Sequence, residues 1–466
     1  MSRSSASPRT LPNRASRAAR RAAGKVLRSK VPRSGHSYWS PPRDRVDPVE
    51  LLAASDRVRA PALLPIRYER MSLSSFAFLR GAAVVMAHDL ATTPVTGLRV
   101  QMCGDAHVGN FGFFATPERD QVFDLDDFDE TLVGPWEWDV KRLGVSLVLA
   151  ARGNRYGRTT ARDAARAAVA SYRTMMARFA RMRYLDTWYF HLDQESQSAL
   201  AGSTPKKLID RAITKARQKT SLHAFPKLAQ VRAGRARIRD DPPLIVHYPE
   251  RAALEESRSF YDRYLSTLSD ERRMLLDRYQ VADVAQKVVG VGSVGLACSV
   301  ILLLADSDVV DPLFLQIKQA TESALEGVLE PSPYENHAER VVVGQRMIQE
   351  ASDAFLGWSR LRSRDFYVRQ LWDMKFSYDI STLGPRELVG QAELCGTALA
   401  RAHARTGDPA RISGYLGKGD AFDEAVTRFA EAYADQTERD YEAMLEAIRK
   451  GRLPGARSGA KGSGST

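Results

Sequence analysis

The chain has 466 residues, 44% of them apolar, with a net charge of +12 and three cysteines. That is enough apolar matter for a sizeable core in two or three domains or lobes, and the scattered Cys103, Cys298 and Cys395 exclude a disulfide scaffold or a cysteine metal site. No apolar run is long enough to span a bilayer, since even Val288 to Leu304 is broken by three glycines, so the chain reads as a reduced, cytoplasmic protein.

Ten lysines and arginines and no acid stand before residue 36. Residues 1–35 therefore read as a disordered basic arm, and without it the charge is close to neutral. No aromatic interleaving or reading module accompanies the charge. Nucleic acid is thus expected at most as a nonspecific contact of the arm, and no membrane partner is expected.

Residues 36–280 read as a mainly helical large lobe. Ser74 to Leu90 is predicted as a helix leading to the segment Cys103-Gly104-Asp105-Ala106-His107-Val108-Gly109-Asn110-Phe111. Here an aspartate and an amide lie five positions apart. Two short strands follow, Phe111 to Thr116 and Gln121 to Asp124, joined by the polar turn Pro117-Glu118-Arg119-Asp120. Such a hairpin would fold Asp124 back beside Asn110. This is the spacing of the catalytic half of a kinase-type site: Asp105 accepts the proton of an incoming hydroxyl, while Asn110 and Asp124 hold magnesium. Gly-Asp-x-His also opens metallophosphoesterases, but no Gly-Asn-His-Asp/Glu segment supplies their bridging ligand. An EF-hand is excluded, because its fifth position would be Phe128 and no glycine occupies its sixth. His107 is read as shaping the loop, since Asp105 already occupies the base position.

Trp138 to Arg152 is the helix leaving this loop, and residues 158 to 184 carry a further helical pattern. Positions 185 to 250, basic, polar and proline-containing, read as an insertion, first as a plain surface excursion, with substrate selectivity as the alternative.

Residues 281–375 supply the nucleotide-binding small lobe. Gly290, Gly292 and Gly295 form a turn between apolar runs, where missing side chains let backbone amides approach phosphate. A dinucleotide-binding turn would open a helix; here Leu296 to Leu304 continues as a strand, and Leu313 to Lys318 follows as another. Lys318 ends an apolar run, placed to reach the α- and β-phosphates. Such a lobe next needs a helix with an acidic partner for the lysine. Residues 337 to 352 read as that helix, with Glu339 and Glu350 as candidates; which of them pairs with Lys318, or whether Glu322 does, stays open. Strands at Phe355 to Trp358 and Phe366 to Leu371 lead to a hinge near Leu371 to Lys375. Residues 376–450 return to the large lobe through helices at Glu387 to Arg405 and Ala421 to Lys450, with His403 read as a packing or capping residue. Residues 451–466 are a Gly- and Ser-rich flexible tail.

The catalytic half precedes the nucleotide half, so the order is that of a circular permutation. The expected fold class is α+β, a two-lobed, circularly permuted protein kinase-like fold with a helical large lobe and a small antiparallel β lobe. The runs Pro65 to Met71, Phe76 to Ala82, Cys103 to Gly112, Phe123 to Thr131 and Gly134 to Leu143 closely resemble the bacterial domain-of-unknown-function family 2252, over about residues 30 to 445. That family is similar in turn to the aminoglycoside phosphotransferase branch of kinase-like folds. By that resemblance Asp105 is the catalytic base, Asn110 and Asp124 are metal ligands, and Asp139 is the buried aspartate that ties down the catalytic loop. Cys103 stands where that branch has a histidine, and Asp124 lies one residue farther from Asn110 than in typical kinases. The expectation is an ATP- and magnesium-dependent phosphotransferase acting on a hydroxyl of a small-molecule acceptor. Adenylyl transfer by the same pocket, or a nucleotide-binding regulatory module without chemistry, are the alternatives.

Overall fold

The structure, a computed structural model, describes residues 15–193, 206–232, 235–247, 254–305, 311–371 and 374–455. Residues 1–14 of the predicted arm and 456–466 of the predicted tail lie outside them.

The rest of the arm is not disordered. Arg17–Lys30 is a helix, opened by the Ser16 side chain accepting from the Ala19 amide. It packs on the helix Pro409–Leu416. Two arginines of the arm serve that contact: Arg28 donates to the carbonyls of Tyr415 and Gly414 (2.8 and 2.6 Å), and Arg33, just past the helix, to that of Leu416 (2.7 Å). Those carbonyls end a helix and have no partner within it, so arginines satisfy both the hydrogen bonds and the dipole. Part of the charge run thus caps that helix, with Arg20 also paired to Asp408 at 3.0 Å.

The predicted single helix from Ser74 to Leu90 is two, Ser75–Gly81 and Ala83–Leu90. Arg67 takes the Gly81 carbonyl at 2.9 Å, and Ala82 turns the chain between them. The helical core is Trp136–Gly153, Arg158–Phe179, Pro385–Thr406 and Ala421–Arg449. Trp136 and Tyr172 stack within it, 5.6 Å apart. The helices Arg158–Phe179 and Pro385–Thr406 approach closest at Gly396, where a Cβ would lie 2.0 Å from the Ala168 carbonyl oxygen. Gly396→Ala should accordingly cost about 1–3 kcal/mol, read as a lower denaturant midpoint with unchanged slope.

Twelve strands are described. Before the core helices come β1 (Arg99–Met102), β2 (Phe111–Ala115), β3 (Gln121–Leu125) and β4 (Leu132–Pro135), paired as β1 with β4 and β2 with β3. β5 (Ala229–Arg232) and β6 (Arg235–Ile238) form a hairpin. The remaining six are β7 (Ile245–His247), β8 (Gln280–Lys287), β9 (Cys298–Leu304), β10 (Pro312–Ala320), β11 (Gly357–Leu361) and β12 (Arg364–Gln370). They make one antiparallel sheet in the order β11-β12-β10-β9-β8-β7. The molecule is thus a mixed α+β protein with small antiparallel sheets.

Part of the 185–250 insertion belongs to the sheet layer. Ala224, Ala229 and Ile238 pack on Ala285, Val300, Leu302 and Phe314, and β7 adds an edge strand to β8. On the opposite face Phe260, Tyr264 and Leu268 cover Leu313, Leu315 and Val368. After β12 the predicted hinge lies partly outside the described residues. The chain then meets the β2–β3 hairpin, where Phe376 and Phe113 exchange backbone hydrogen bonds of 2.8 and 2.7 Å.

Candidate functional site

The loop between β1 and β2 is held from below by one carboxylate. Asp139 opens the helix Trp136–Gly153, and its two oxygens accept the amides of Cys103 (2.7 Å) and Gly104 (3.0 Å). Gly104 has φ of +83°. A side chain there would also strike the Glu130 carbonyl oxygen, 2.1 Å from a Cβ. His403 reaches Asp139 at 3.1 Å through Nε2, while its Nδ1 meets the Tyr172 hydroxyl at 2.9 Å. Asp139 therefore anchors the loop, and His403 orients the anchor. Cys103 is fully buried; burial first, and then Asp139, push its thiol well above the ordinary range.

Asp105 projects from this loop. Arg142 Nε donates to it at 2.6 Å. Asp139 and Arg142 lie one turn apart on one helix, so the same face anchors the loop and pairs with its acid. Burial pushes the Asp105 carboxyl up to about 7, against the pull of Arg142, with Glu130 and Asp127 adding to the rise. His107 accepts from the Gly109 amide at 3.1 Å and packs edge-on to Phe76, which is the loop-shaping role expected of it. Asn110 donates Nδ2 to the Asp105 carbonyl at 2.8 Å, which leaves its Oδ1 for another partner.

Asp124 is not placed as a metal ligand. It is wholly buried, and one oxygen accepts from Arg401 Nη2 (2.5 Å), itself wholly buried, and from the Glu350 amide (2.7 Å). Its partners come from the helix Pro385–Thr406 and from the segment that follows the helix His337–Ile348. The carboxylates that do face the sheet come next in the chain. The Asp126 amide donates to the Asn110 carbonyl at 3.1 Å, and the Asp126 carboxylate accepts from Ser377 Oγ at 3.1 Å. Burial, with Asp127 beside it, raises the Asp126 carboxyl above the ordinary range.

Lys318 arrives from the sheet and is almost wholly buried. Its ammonium forms an ion pair with Asp129 and lies 3.7 Å from Asp127. Burial alone would lower the lysine and raise the aspartate; each instead stabilises the charged form of the other. Tyr367, opposite Lys318 in the β10–β12 register, donates to Asp129 at 2.8 Å. Arg369, two residues on and hence on the same face, reaches the Asp126 carbonyl at 3.2 Å. From the glycine turn, Ser293 Oγ donates to Asp129 at 3.1 Å. The loop bearing Gly290, Gly292 and Gly295 therefore meets the same acidic segment as Lys318.

Neither Glu339 nor Glu350 pairs with Lys318. Glu350 lies beyond the helix His337–Ile348 and holds His191 at 2.6 Å. Glu339 is half-buried in the first turn, and burial raises its carboxyl. The helix instead presents buried Arg340, which donates to the carbonyls of Thr131 (2.7 Å), Asp129 (2.9 Å) and Thr321 (2.9 Å). The polarity of the expected pair is inverted: the acid comes from the loop, and the helix supplies a cation that clamps the loop backbone. Glu322, the other candidate, is exposed.

Sequence reasoning did not single out Arg142, Arg369, Arg340, Arg401 or Asp127, and weighed Asp129 only as a ligand of the excluded EF-hand. A signal existed for two: Arg142 at helical spacing from Asp139, and Arg369 at strand spacing from Tyr367.

The fold and site define an α+β protein in which a buried lysine of an antiparallel sheet, a glycine turn and an anchored Asp/Asn loop meet at one acidic segment. The chain belongs to the family described as an uncharacterized protein conserved in bacteria (DUF2252), which matches residues 59–447. No curated protein and no solved structure matches it. Among the described residues no helix is long and apolar enough to cross a membrane.

Proposed function

We propose that this protein is an ATP- and magnesium-dependent phosphotransferase of permuted, kinase-like architecture, moving the γ-phosphoryl group to a hydroxyl of a small-molecule acceptor. The observation that carries the reading is the meeting of Lys318 and the glycine-turn residue Ser293 at Asp129, three residues beyond Asp126, whose amide is bonded to Asn110. Chain segments about 200 residues apart thereby converge as a nucleotide clamp and a catalytic loop must. The succession β8, glycine turn, β9, β10 with its lysine, helix and β11–β12 supports the same assignment, as does the anchoring of the Asp105 loop by Asp139.

The donor set fits a hard cation only in part. Among the described residues no three His, Cys, Asp or Glu side chains are arranged to hold a metal ion. Magnesium does not require that, because it is commonly bound by one or two carboxylates, waters and the phosphates themselves. Asn110, Asp126 and Asp127 are the oxygen donors that would hold it, in place of Asp124. Bound there, magnesium would neutralise charge on the phosphates. Asp105 would orient the acceptor hydroxyl and take its proton, and Lys318 would exchange its pairing with Asp129 for phosphate oxygens. Tyr367 and Arg369 would keep the acidic segment in place meanwhile.

The test is incubation of the purified protein with γ-labelled ATP, magnesium and a bacterial metabolite extract, followed by intact-mass analysis of products. Label should enter a small molecule as a phosphoryl group, and Asp105→Asn should lower its rate of entry by about 10²–10⁴-fold. Adenylylated products, or tight ATP binding with no product from any acceptor, would overturn the reading.

A further inference from the structure

The glycine turn is fastened by its carbonyls. Arg70 donates to that of Gly290 (2.5 Å), Arg59 to that of Val294 (2.6 Å) and the Ala60 amide to that of Gly295 (2.8 Å). Among the described residues nothing accepts from the amides of Gly290, Val291, Gly292 or Ser293.

Arg80 lies against this turn. Its carbonyl oxygen would be 3.2 Å from a Cβ at position 292, so glycine there allows the turn to lie on the end of the helix Ser75–Gly81. The neighbouring arginines are engaged: Arg67 with Asp56, Arg142 with Asp105, Arg59 and Arg70 with the turn. Arg80 is not. Its Nε is buried without a hydrogen-bond partner, and its guanidinium has no acidic partner among the described residues, lying only over the Phe76 ring at 5.9 Å. The adjoining residue Leu79 gives its carbonyl to Arg142, which holds Asp105. On the other side stands His107, whose imidazole is held well below its ordinary range by burial first and then by Arg80 and Arg142. A half-buried arginine with one orphaned donor thus stands on the helix end that carries the turn, its charge felt by His107 of the Asp105 loop. Leaving such a group unpaired costs free energy that an anion would recover.

We propose that Arg80 and the open amides of the Gly290–Gly295 turn form an anion subsite that takes the phosphoryl oxygens of a polyphosphate ligand. The assignment of that ligand to phosphoryl transfer rests on the function proposed above; the anion site itself does not.

Inorganic tripolyphosphate, which carries no nucleoside, is the probe. Its binding is measured by calorimetry, and by the melting-temperature shift it induces in each variant relative to that variant alone, so that a change in intrinsic stability does not obscure the result. Arg80→Gln should weaken binding at least about tenfold, the scale of one charge-assisted hydrogen bond, and Arg80→Lys should retain part of it. Arg158→Gln, which removes an exposed arginine at a distant helix start, should leave binding unchanged. Wild-type affinity in Arg80→Gln, an equal loss in Arg158→Gln, or no binding by the wild type would each overturn the subsite. Arg80-dependent tripolyphosphate binding in a protein that transfers no phosphoryl group would uphold the subsite and overturn the proposed function alone.

Discussion

Asp124→Ala is expected to destabilise the protein by about 3–5 kcal/mol, because it strands the wholly buried Arg401 guanidinium without its counter-charge. The effect should appear as a large drop in the denaturant midpoint, before any question of activity arises. Removing both charges is a different case. Asp124→Leu with Arg401→Met should recover most of the loss, since an apolar pair of similar volume avoids desolvating two ions. The loss on the single variant should therefore exceed that of the double. Two features sharpen this. The second Asp124 oxygen and two further Arg401 nitrogens are buried without partners, so the pair is incompletely satisfied and its replacement removes several orphaned groups. Arg401 also donates to the Ile348 carbonyl at 2.7 Å, joining the helices His337–Ile348 and Pro385–Thr406. A stable, folded Asp124→Ala protein that had lost only magnesium-dependent turnover would return Asp124 to the metal.

Asp105→Asn is expected to lower phosphoryl transfer by about 10²–10⁴-fold, the usual contribution of a positioned general base, with little change in ATP affinity. The carboxyl is pushed up to about 7, and only its ionised form accepts a proton, so kcat/KM should rise as pH increases through about 7 and level off above it. Stability should run the other way. Between the ordinary carboxylate range and about 7, the folded chain holds a proton on Asp105 that the unfolded chain has already released. The native state then binds more protons than the unfolded state, and stability falls as pH rises across that window. Asp105→Asn should remove that contribution to the slope while preserving the outline of the loop. Undiminished turnover in the asparagine variant, or a wild-type rate independent of pH between 5 and 9, would exclude Asp105 as the base.

Much of the backbone plan was legible in the chain. The hairpin after Asn110, the strand that continues from the glycine turn, the strand ending near Lys318 and the helices of the C-terminal third rest on local periodicity and turn chemistry, which neighbouring residues supply. The break at Ala82 was not visible, because Arg67 of the preceding helix, taking the Gly81 carbonyl, helps make it. The basic arm was misread for the same reason. Its arginines look solvated until the carbonyls of the helix Pro409–Leu416, nearly 400 residues away, are brought to them.

The sequence by itself determined which side chains stand together on one loop, one strand or one turn of helix: Asp105 with Asn110, Asp139 with Arg142, and three glycines ahead of a lysine. Only the tertiary structure decided which of five closely spaced acids faces the sheet. Asp124 meets Arg401 of the helix Pro385–Thr406, and the loop beyond β3 carries Asp126, Asp127 and Asp129 toward Lys318, Tyr367 and Arg369. The charge of a carboxylate is readable from composition. Its role depends on which cation the fold places within about 4 Å, and that cation comes from a segment whose distance along the chain carries no local signal.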